Sequence, residues 1–559
     1  MTLSLLALIV LASLILGYGV YGRLVARAFR LDDARETPAE RMRDGADFVP
    51  ARPFYLMGQH FSAIAAAGPI AGPILACTAF GWAPSLAWIV LGGVLIGAVH
   101  DFSSLFASVR HQARSVAEIV KENIGVRAWL AMLAFIWIAL VYVIVAFTDI
   151  TAATFVGATE ELAGLSAPFN KGGAVAAAST MYLLLALLMG LVQRRWRLPL
   201  WAVTLVFVPA SLGVVWLGTR VSTVLVLPHL SWCVVILVYC AVASLLPVWL
   251  LLQPRGYLGG FILYLALAVG LLGILFGGFE IRQPAFTAAP LFGLKGSLFP
   301  FLFVTIACGA CSGFHGLVCS GTTSKQIARE SHCRPVGYGG MLLESFVALI
   351  ALATVLIVAP GGLGGRAPGT LYGDGLAAFL TSVIPVGVAA AATFGAMAFS
   401  TFVFDTLDVA TRLGRYILQE LTGVQGRAAA GLATAATAGV PLAILLASGE
   451  GAYRTFWLLF GTSNQLLAAL TLIGITVWLR RTGRPFWFTL LPACFVAGIT
   501  LWSLLGQGLG FAAGMRDAGT GALNLAALAN LVVAVLLALL AGYLILAAPR
   551  AARGAAAGR

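Results

Sequence analysis

A small set of ionisable side chains lies inside stretches that are otherwise apolar, and these residues are the first candidates for chemistry. The set is Asp101, Asp149, Glu344, Asp405 and Asp408, together with His60, His100 and His315. An ionisable group in a membrane-spanning segment is costly, so each one needs a reason to be there. Buried carboxylates and imidazoles can take up and release protons or hold a cation, which suits ion coupling.

The sharpest candidates for ion coupling are aspartates that stand beside hydroxyl residues. They are Asp149 with Thr148 and Thr151, and Asp405 and Asp408 with Thr406. Burial favours the protonated form of a carboxylate, which would allow proton coupling, while the same oxygens could hold sodium. The alternative for the last two aspartates is pairing with Arg412 or Arg415 at helical spacing.

Two glycine-rich segments are predicted to break in mid-membrane. One contains Gly68-Pro69-Ile70-Ala71-Gly72-Pro73, and the other contains Cys308-Gly309-Ala310-Cys311-Ser312-Gly313. Proline removes a backbone donor and clashes with the preceding turn, so the doubled Gly-Pro motif predicts a broken helix. The N–H groups that begin the next half-helix, with Pro73 in its first turn, would bind a carboxylate. The alternatives are a simple kink or close packing through small residues.

These motifs supply the predicted binding residues. The predicted substrate-binding residues are Ser62, Gly68, Pro69, Gly72, Gly309, Ser312, Gly313 and His315. Four further polar residues, His60, Asp101, Asn464 and Gln465, are candidates for a gate or a cavity lining. The alternative for His60 is a satisfied polar group, and that for Asp101 is helix-end capping. For Asn464 and Gln465 it is cross-helix hydrogen bonding.

The elements that must position these residues are membrane helices. The chain has 559 residues, of which 60% are hydrophobic and 10% charged, against about 25% charged in soluble domains. Lipid must therefore be the solvent for much of the chain, and the class is an all-α polytopic membrane protein. About fifteen spans are predicted, at 3–22, 54–79, 84–109, 128–156, 173–193, 199–219, 230–252, 257–279, 297–320, 338–360, 380–404, 428–447, 455–478, 486–506 and 521–547.

The basic residues give an orientation. Of the 34 Lys and Arg residues, 27 fall in alternate loops, including Arg255, and seven fall in the others. Basic residues accumulate in cytoplasmic loops, which predicts an external N-terminus and a cytoplasmic C-terminus in a bacterial inner membrane. The first span has no basic residue before it and no clear cleavage motif, so we interpret it as a retained span.

When the first span is set aside, the other fourteen form two sets of seven, and each set begins with one of the two broken spans. An odd number of spans inverts the second set relative to the first, which is typical of secondary transporters. We predict an N-terminal helix and basic loop at 1–53, a first core half at 54–229 and two additional helices at 230–296. A second core half at 297–485 and C-terminal helices with a short tail at 486–559 complete the division.

No motif indicates an enzyme. The chain has no Walker lysine, nucleophile elbow or His-Glu-x-x-His, which disfavours an ATP-driven pump and intramembrane hydrolysis. Seven of the eight cysteines lie in apolar segments, where packing is the simplest role. We therefore predict no catalytic residues, no cofactor, no metal site and no nucleic-acid partner, and the sequence leaves the oligomeric state open.

The motifs closely resemble those of the carbon starvation protein A family. The matching stretches are GQHFSAIAAAGPIAGP (58–73), GAVHDFSSLFASVR (97–110), LPVWLLLQPRGYL (246–258), FPFLFVTIACGACSGFHGLVCSGTTSK (299–325), GYGGMLLESF (337–346), DTLDVATRLGRY (405–416) and LFGTSNQLLA (459–468). The resemblance implies an inner-membrane importer of short peptides or, in several members, of pyruvate by proton symport. It also implies the inverted-repeat core of the amino acid–polyamine–organocation transporters, which is LeuT-like.

The function predicted from residues and resemblance is alternating-access import of small carboxylate-bearing nutrients, coupled to protons. A sodium-coupled importer, a passive channel and a nutrient sensor are the alternatives. The sequence does not separate peptide from pyruvate, because both present a carboxylate to the same half-helix dipole. The expected partners are the small-molecule substrate, the coupling ion and the lipid bilayer.

Overall fold

The computed structural model describes residues 2–44, 48–65, 67–160, 169–247, 249–288, 298–515 and 524–554. Within these ranges the chain is almost entirely helical. The strands β1 (Thr159–Glu160) and β2 (Phe169–Asn170) form a two-stranded antiparallel ribbon, the one sheet in the described ranges. The predicted all-α polytopic class is confirmed.

The helices follow one another with short connections. Up to residue 276 they are α1 (Leu3–Leu16), α2 (Gly22–Phe29), α3 (Pro38–Arg41), α4 (Pro53–Ile64), α5 (Gly68–Phe80), α6 (Trp82–Gly92), α7 (Ala98–Arg110), α8 (Val116–Asn123), α9 (Val126–Phe155), α10 (Lys171–Trp196), α11 (Leu200–Arg220), α12 (His229–Leu245) and α13 (Leu252–Phe276). The remainder are α14 (Leu298–Thr305), α15 (Gly313–Gly321), α16 (Gly340–Leu356), α17 (Pro368–Val383), α18 (Val388–Thr422), α19 (Arg427–Ser448), α20 (Ala452–Arg481), α21 (Trp487–Ala513) and α22 (Leu525–Gly554).

The helices account for every predicted span. Among the described residues, twelve continuous helices are long and apolar enough to cross a membrane, and the pair α4 and α5, bent by 51°, makes a thirteenth span. The other two predicted segments correspond to the shorter helix α12 and to the pair α14 and α15. All fifteen predicted segments therefore coincide with helix, although three of them are short or broken.

Three spans contain a π-helical turn, and the three turns meet at one side chain. They are Gly17–Tyr21, Gly93–Gly97 and Arg334–Gly339. The hydroxyl of Tyr338 in the third turn donates to the carbonyl of Val94 in the second at 2.8 Å and lies 3.5 Å from that of Gly17 in the first. Because the second and third turns lead directly into α7 and α16, this contact fixes the relative position of those two helices.

Helix α17 was not predicted, and the predicted span 380–404 is wrong at its start. The structure ends α17 at Val383 and begins α18 at Val388. Pro385 explains the separation, because the residue before a proline avoids helical geometry and Ile384 is extended at φ −128° and ψ 133°. Helix α17 packs closely on α18, since a Cβ at Gly373 would lie only 2.9 Å from the nitrogen of Ala396.

Burial separates a central group of helices from a lipid-facing periphery. In α20, 94% of an 18-residue apolar stretch is buried. The corresponding share is 22% in α11 and 28% in the first and last spans. The broken spans lie against this centre, because α14 and α15 both contact α20 while α5 contacts α16. Polar residues placed on these helices are consequently shielded from lipid.

Loops that the charge pattern assigns to the same side of the membrane contact one another. On the side predicted to be cytoplasmic, Glu330 accepts hydrogen bonds from the backbone of Asp32 and from Arg110. On the opposite side, Asp374 pairs with Lys171 and Arg366. The alternation of loops is therefore consistent with the fold, while the assignment of one side to the cytoplasm stays a prediction.

Candidate functional site

Both predicted breaks are present. Helix α4 ends at Ile64 before α5 begins at Gly68, and α14 ends at Thr305 before α15 begins at Gly313. Pro69 occupies the first turn of α5, and Pro73 lies inside the helix, so the predicted first-turn position of Pro73 is wrong. Proline fits the first turn because the missing N–H has no helical acceptor there.

The two breaks pack directly against each other through glycine. A Cβ built on Gly68 would lie 2.3 Å from Sγ of Cys308, and one on Gly72 would lie 2.7 Å from the carbonyl oxygen of Thr305. A Cβ on Gly309 would lie 3.6 Å from Cα of Pro69. These predicted binding residues therefore let the two backbones approach closely, which is the role that the small-residue alternative described.

The first turn of α15 is already occupied by a side chain of the protein. Oδ1 of Asn464, from α20, accepts the backbone N–H of Phe314 at 2.9 Å and faces the hydroxyl of Ser312 at 3.3 Å. Its amide nitrogen donates to Ser312 Oγ at 3.1 Å and to Cys308 Sγ at 3.2 Å. Gly313 packs against Asn464, because a Cβ there would lie 2.4 Å from the Asn464 carbonyl oxygen. The structure thus brings two predicted binding residues and one predicted gate residue into a single contact.

Side chains also satisfy the carbonyl groups that the second break leaves free. Gln465 donates to the carbonyl of Phe303 at 2.9 Å, and Trp457 donates to that of Thr305 at 3.2 Å. The indole of Trp88 lies 3.2 Å from the carbonyl oxygen of Ile306. Broken backbone inside a membrane must find such partners, because lipid offers none.

A continuous chain of buried ionisable groups lies immediately beyond the first turn of α15. Nδ1 of His315 is 2.8 Å from Oδ2 of Asp101, and Nε2 of His315 is 2.9 Å from Oε2 of Glu344. The other oxygen of Asp101 is 2.8 Å from Nδ1 of His100. We call Glu344, His315, Asp101 and His100 the polar chain; it joins α16, α15 and α7, and each of its residues is 0% exposed.

His60 stands next to this chain. Its Nδ1 lies 2.9 Å from the hydroxyl of Thr323, and its Nε2 lies 4.0 Å from Sγ of Cys319. The same thiol donates to the carbonyl of Asp101 at 3.4 Å. A predicted binding residue, His315, and two predicted gate residues, His60 and Asp101, therefore share one region. Glu344 and His100 belong to it without having been assigned a role.

Asp405 and Asp408 pair with an arginine that the sequence analysis placed in a loop. Arg255 is 0% exposed and lies in the first turn of α13. Its Nε donates to Oδ1 of Asp405 at 2.7 Å, and its Nη1 contacts Asp408 and donates to the hydroxyl of Tyr239 at 2.7 Å. The predicted alternative partner Arg412 instead donates to the backbone carbonyls of Ala243 and Leu246. We call Arg255, Asp405, Asp408 and Tyr239 the Arg255 cluster.

Two predicted residues lie near this cluster and contact backbone carbonyl groups. The hydroxyl of Ser62, from α4, is 3.5 Å from the carbonyl oxygen of Gly256, the residue after Arg255. The hydroxyl of Thr406 is 3.3 Å from the carbonyl oxygen of Phe402, one turn earlier in the same helix. Ser62 is thus directed toward α13 rather than toward the break that follows it.

Asp149 lies in a separate place, where α9 meets α12 and α20. Its Oδ2 accepts the backbone N–H of Tyr453 at 2.8 Å, in the first turn of α20. His229 Nε2 lies 3.3 Å from Oδ1. Of the neighbouring hydroxyls, Thr151 donates to the carbonyl of Phe147, whereas the buried Thr148 hydroxyl makes no hydrogen bond. Asp149 therefore caps α20 in addition to any role in coupling.

A cavity of about 250 Å³ reaches the second half of the first broken span. Its lining includes Ile74, Leu75 and Thr78 of α5 together with Arg366 and Arg454. Arg366 lies in the loop before α17 and Arg454 lies in the first turn of α20, both on the side predicted to be external. The cavity is therefore positioned as an approach from that side toward α5, with positive charge at its rim.

Several of these residues escaped the sequence analysis for identifiable reasons. Arg255 was assigned to a loop because basic residues mark loops, although apolar runs flank it closely on both sides. Glu344 was among the ionisable candidates but received no role, because its partner His315 lies on another helix. In both cases the signal was the long apolar segment on each side of a single charge.

Comparison with known proteins finds sequence matches over most of the chain. The sequence pattern of the family described as carbon starvation protein CstA matches residues 2–374 and 363–503. The pyruvate/proton symporter BtsT of Escherichia coli (strain K12) is 32% identical, over 88% of this chain and 79% of that protein. The peptide transporters CstA of Helicobacter pylori (strain ATCC 700392 / 26695) and Campylobacter jejuni (serotype O:2) are 33% and 34% identical, each over 87% of this chain and 79% and 78% of theirs.

Among solved structures, the similar chains have low sequence identity to this one. MhsT in complex with L-phenylalanine aligns with a TM-score of 0.46 at 12% identity, covering 89% of this chain and 99% of that one. A mutant of the Eremococcus coleocola manganese transporter aligns with a TM-score of 0.44 at 12% identity, covering 89% and 95%. On the sequence matches, the chain belongs to the carbon starvation protein CstA family.

Proposed function

We propose that the chain imports small carboxylate-bearing nutrients, short peptides or pyruvate, across the bacterial inner membrane by proton-coupled alternating access. The observation that carries this proposal is the polar chain, which joins the second half of a broken span to two neighbouring helices. Relatives of the family are named as peptide transporters and as a pyruvate/proton symporter. Their names support the substrate class and the coupling ion without distinguishing between the substrates.

The polar chain has the composition that proton coupling needs. Two carboxylates, Asp101 and Glu344, flank the imidazole of His315, and no Lys or Arg contact with them is seen in the described structure. Uncompensated negative charge is costly inside a membrane, so proton uptake lowers the cost of burying the chain. Because the links run between three helices, gaining or losing a proton changes the contacts that hold α15 to α7 and α16.

The carboxylate of the substrate would bind where Asn464 now lies. The N–H of Phe314 belongs to the positive end of α15, which favours an anion. Ser312 and Gly313 complete the same turn, and Gly68 and Pro69 form the facing start of α5. Displacement of Asn464 from α15 would free this turn and would couple substrate binding to a movement of α20.

Sodium coupling is the second candidate, and the Arg255 cluster favours it. One arginine faces two aspartates, so the three charges do not cancel. Thr401 stands on the same face of α18 at helical spacing from both aspartates, and its hydroxyl makes no hydrogen bond. Oxygen ligands of this kind suit a hard cation such as sodium.

The decisive experiment measures uptake by the purified full-length protein in proteoliposomes. Radiolabelled pyruvate and dialanine are supplied under an inward proton gradient, an inward sodium gradient or neither. We expect the proton gradient to accumulate at least one of the two above equilibrium, and an uncoupler to abolish that accumulation. Accumulation that follows the sodium gradient would select the second candidate, and equilibration without accumulation would indicate a passive channel.

Asp149 needs a separate variant, because it also caps α20. Asp149→Asn keeps an acceptor for the N–H of Tyr453 while removing the charge. If Asp149 couples, this variant loses concentrative uptake and retains exchange of internal for external substrate. Unchanged pH-driven uptake would remove Asp149 from the coupling role without affecting the proposal for the polar chain.

A further inference from the structure

A third cluster of reactive side chains lies away from the polar chain and the Arg255 cluster. It comprises Asp149 on α9 and His229 and Cys233 on α12, and all three residues are buried. One donor atom from each lies within 4.8 Å of the donor atoms of the other two. His229 and Cys233 are four residues apart, so one face of α12 presents both.

The surroundings of the imidazole define which of its nitrogens is free. Nε2 of His229 lies 3.2 Å from the backbone carbonyl oxygen of Asp149 and 3.3 Å from its carboxylate Oδ1. Two acceptors around Nε2 place the ring hydrogen there, because a ring nitrogen facing oxygen atoms must donate. Nδ1 then carries the free lone pair, and it lies 3.8 Å from Cys233 Sγ.

This arrangement matches the first two ligands of a transition-metal site. Zinc binds imidazole nitrogen at about 2.0–2.1 Å and thiolate at about 2.3 Å, which spans roughly 3.5–3.8 Å between the two donors for tetrahedral to trigonal angles. A metal-binding histidine usually donates its other N–H to a carboxylate or backbone carbonyl, as His229 does to Asp149. We propose that His229, Cys233 and Asp149 form a binding site for a divalent transition-metal ion such as zinc.

A carboxylate oxygen that could complete the coordination is supplied by Asp149, within 4.8 Å of the other two donor atoms. Oδ1 of Asp149 is buried and makes no hydrogen bond, and it lies 3.3 Å from Nε2 of His229. A buried polar atom without a partner is uncommon and calls for an explanation, and an ion is one of the standard ones. On binding, the thiol of Cys233 loses its proton to solvent and a metal–sulfur bond forms, so the charge of the ion is partly neutralised within the site.

The cluster lies near the start of α20, which is on the side predicted to be external. The other oxygen of Asp149 accepts the N–H of Tyr453, whose helix begins directly after the exposed Glu450. Glycines flank Glu450 on both sides with φ of +72° and +80°, a conformation that favours glycine. An ion bound here would connect α12 to α9 and α20 and would favour the conformation in which these helices are in contact.

Zinc titration of the purified full-length protein tests the site directly. Isothermal titration calorimetry with zinc alone compares the wild type with Cys233→Ser and His229→Gln, and Cys77→Ser is the control because it removes another buried thiol. We expect one zinc ion per wild-type chain, at least tenfold weaker binding in the two cluster variants and unchanged binding in the control. No binding by the wild type, or equal binding by all four proteins, would overturn the proposal.

A measurement on the wild type alone keeps the test valid if a variant fails to fold. Mass spectrometry follows alkylation of Cys233 by N-ethylmaleimide with and without zinc. We expect zinc to slow the labelling of Cys233 and to leave that of Cys77 unchanged, whereas zinc-independent labelling of Cys233 would contradict the proposal. Neither measurement involves transport, so the result is independent of the proposed import function.

Discussion

Each carboxylate oxygen of Asp101 faces a different imidazole, and this single side chain therefore joins the two histidines of the polar chain. His100 lies on its own helix, and His315 lies on the half-helix α15. Asparagine keeps only one acceptor oxygen at this position, so one of the two histidines would lose its acceptor. Networks of this kind are worth more than the sum of their pairs, so the effect should exceed that of losing one hydrogen bond.

We expect Asp101→Asn to lower proton-driven accumulation of substrate ~tenfold or more, because a buried network loses its central charge. Substrate exchange at equal pH should persist, since the first turn of α15 is untouched. Uptake and exchange in proteoliposomes measure the two effects. Asp374→Asn is the matched control, because Asp374 is a partly exposed aspartate outside the polar chain that pairs with Lys171 and Arg366. An equal loss in both variants would contradict a specific role for Asp101.

Arg255 gives a prediction about stability rather than transport. Arg255→Met leaves Asp405 and Asp408 buried without their partner, and breaking a buried ion pair from one side costs about 3–5 kcal/mol. We expect a markedly lower thermal unfolding temperature in detergent. Adding Asp405→Asn and Asp408→Asn to Arg255→Met should recover most of the loss, because no unpaired charge then remains. Equal stability of the single and triple variants would indicate that the pairing seen here does not stabilise the protein.

The ionisable residues themselves could be predicted from the sequence, but their partners could not. Asp405 and Asp408 stood out as acids in an apolar segment, and the local rule for helices offered Arg412 or Arg415 as their partner. The actual partner, Arg255, is 150 residues from Asp405 in the chain. Helical spacing describes only contacts along one helix, so a contact between helices far apart in sequence lies outside what it can predict.

At the scale of elements, the breaks in the two spans follow from proline and glycine, and their packing follows from glycine alone. A methyl group on Gly72 would meet the carbonyl of Thr305, which belongs to backbone and has little freedom to move. Clearing that contact would require α5 and α14 to separate. The close approach of the two breaks thus depends on the absence of a single side-chain carbon.

We expect Gly72→Ala to lower the thermal unfolding temperature as well as uptake. Gly439→Ala is the matched control, since nothing lies within 4 Å of a Cβ at Gly439 in α19, and alanine there is favoured over glycine by about 1 kcal/mol. Thermal unfolding in detergent compares the two variants. Loss of uptake at unchanged thermal stability would show that Gly72 serves the substrate rather than the packing of the two spans.

The positions of the spans were predictable because lipid requires long apolar segments, and all fifteen segments coincide with helix. Helix α17 was missed because it is a half-polar helix of 16 residues beside a span, where hydropathy carries little information. The capping of α15 by Asn464 also could not be predicted from the sequence. It depends on which face α20 turns toward the second break, and a fully buried helix has no amphipathic pattern to reveal its orientation.

At the scale of the whole molecule, two networks hold opposite ends of the bundle. One joins the basic loops through Glu330, and the other joins Asp374 to Lys171 and Arg366. The excess of Lys and Arg on the first side predicts that it faces the cytoplasm. The inverted relation between 54–229 and 297–485 remains a prediction at this scale, although each half begins with a broken span.

Labelling of intact cells checks this orientation. In a Cys494→Ser background, which removes the exposed thiol, Glu450→Cys should react with a membrane-impermeant maleimide. Arg35→Cys should react only after the cells are permeabilised, because its loop is predicted to be cytoplasmic. Both positions are exposed in the folded chain, so burial does not explain a difference. The reverse pattern would invert the orientation while leaving the fold unchanged.

The contact of Asn464 with the start of α15 affects how tightly the substrate would bind. An arriving carboxylate would exchange one acceptor for another instead of filling a vacant position, so it gains only the difference between a charged and a neutral acceptor. That difference is on the order of 1 kcal/mol per hydrogen bond. The substrate would then bind with modest affinity and dissociate rapidly. Such an importer would favour a high transport rate over tight substrate binding.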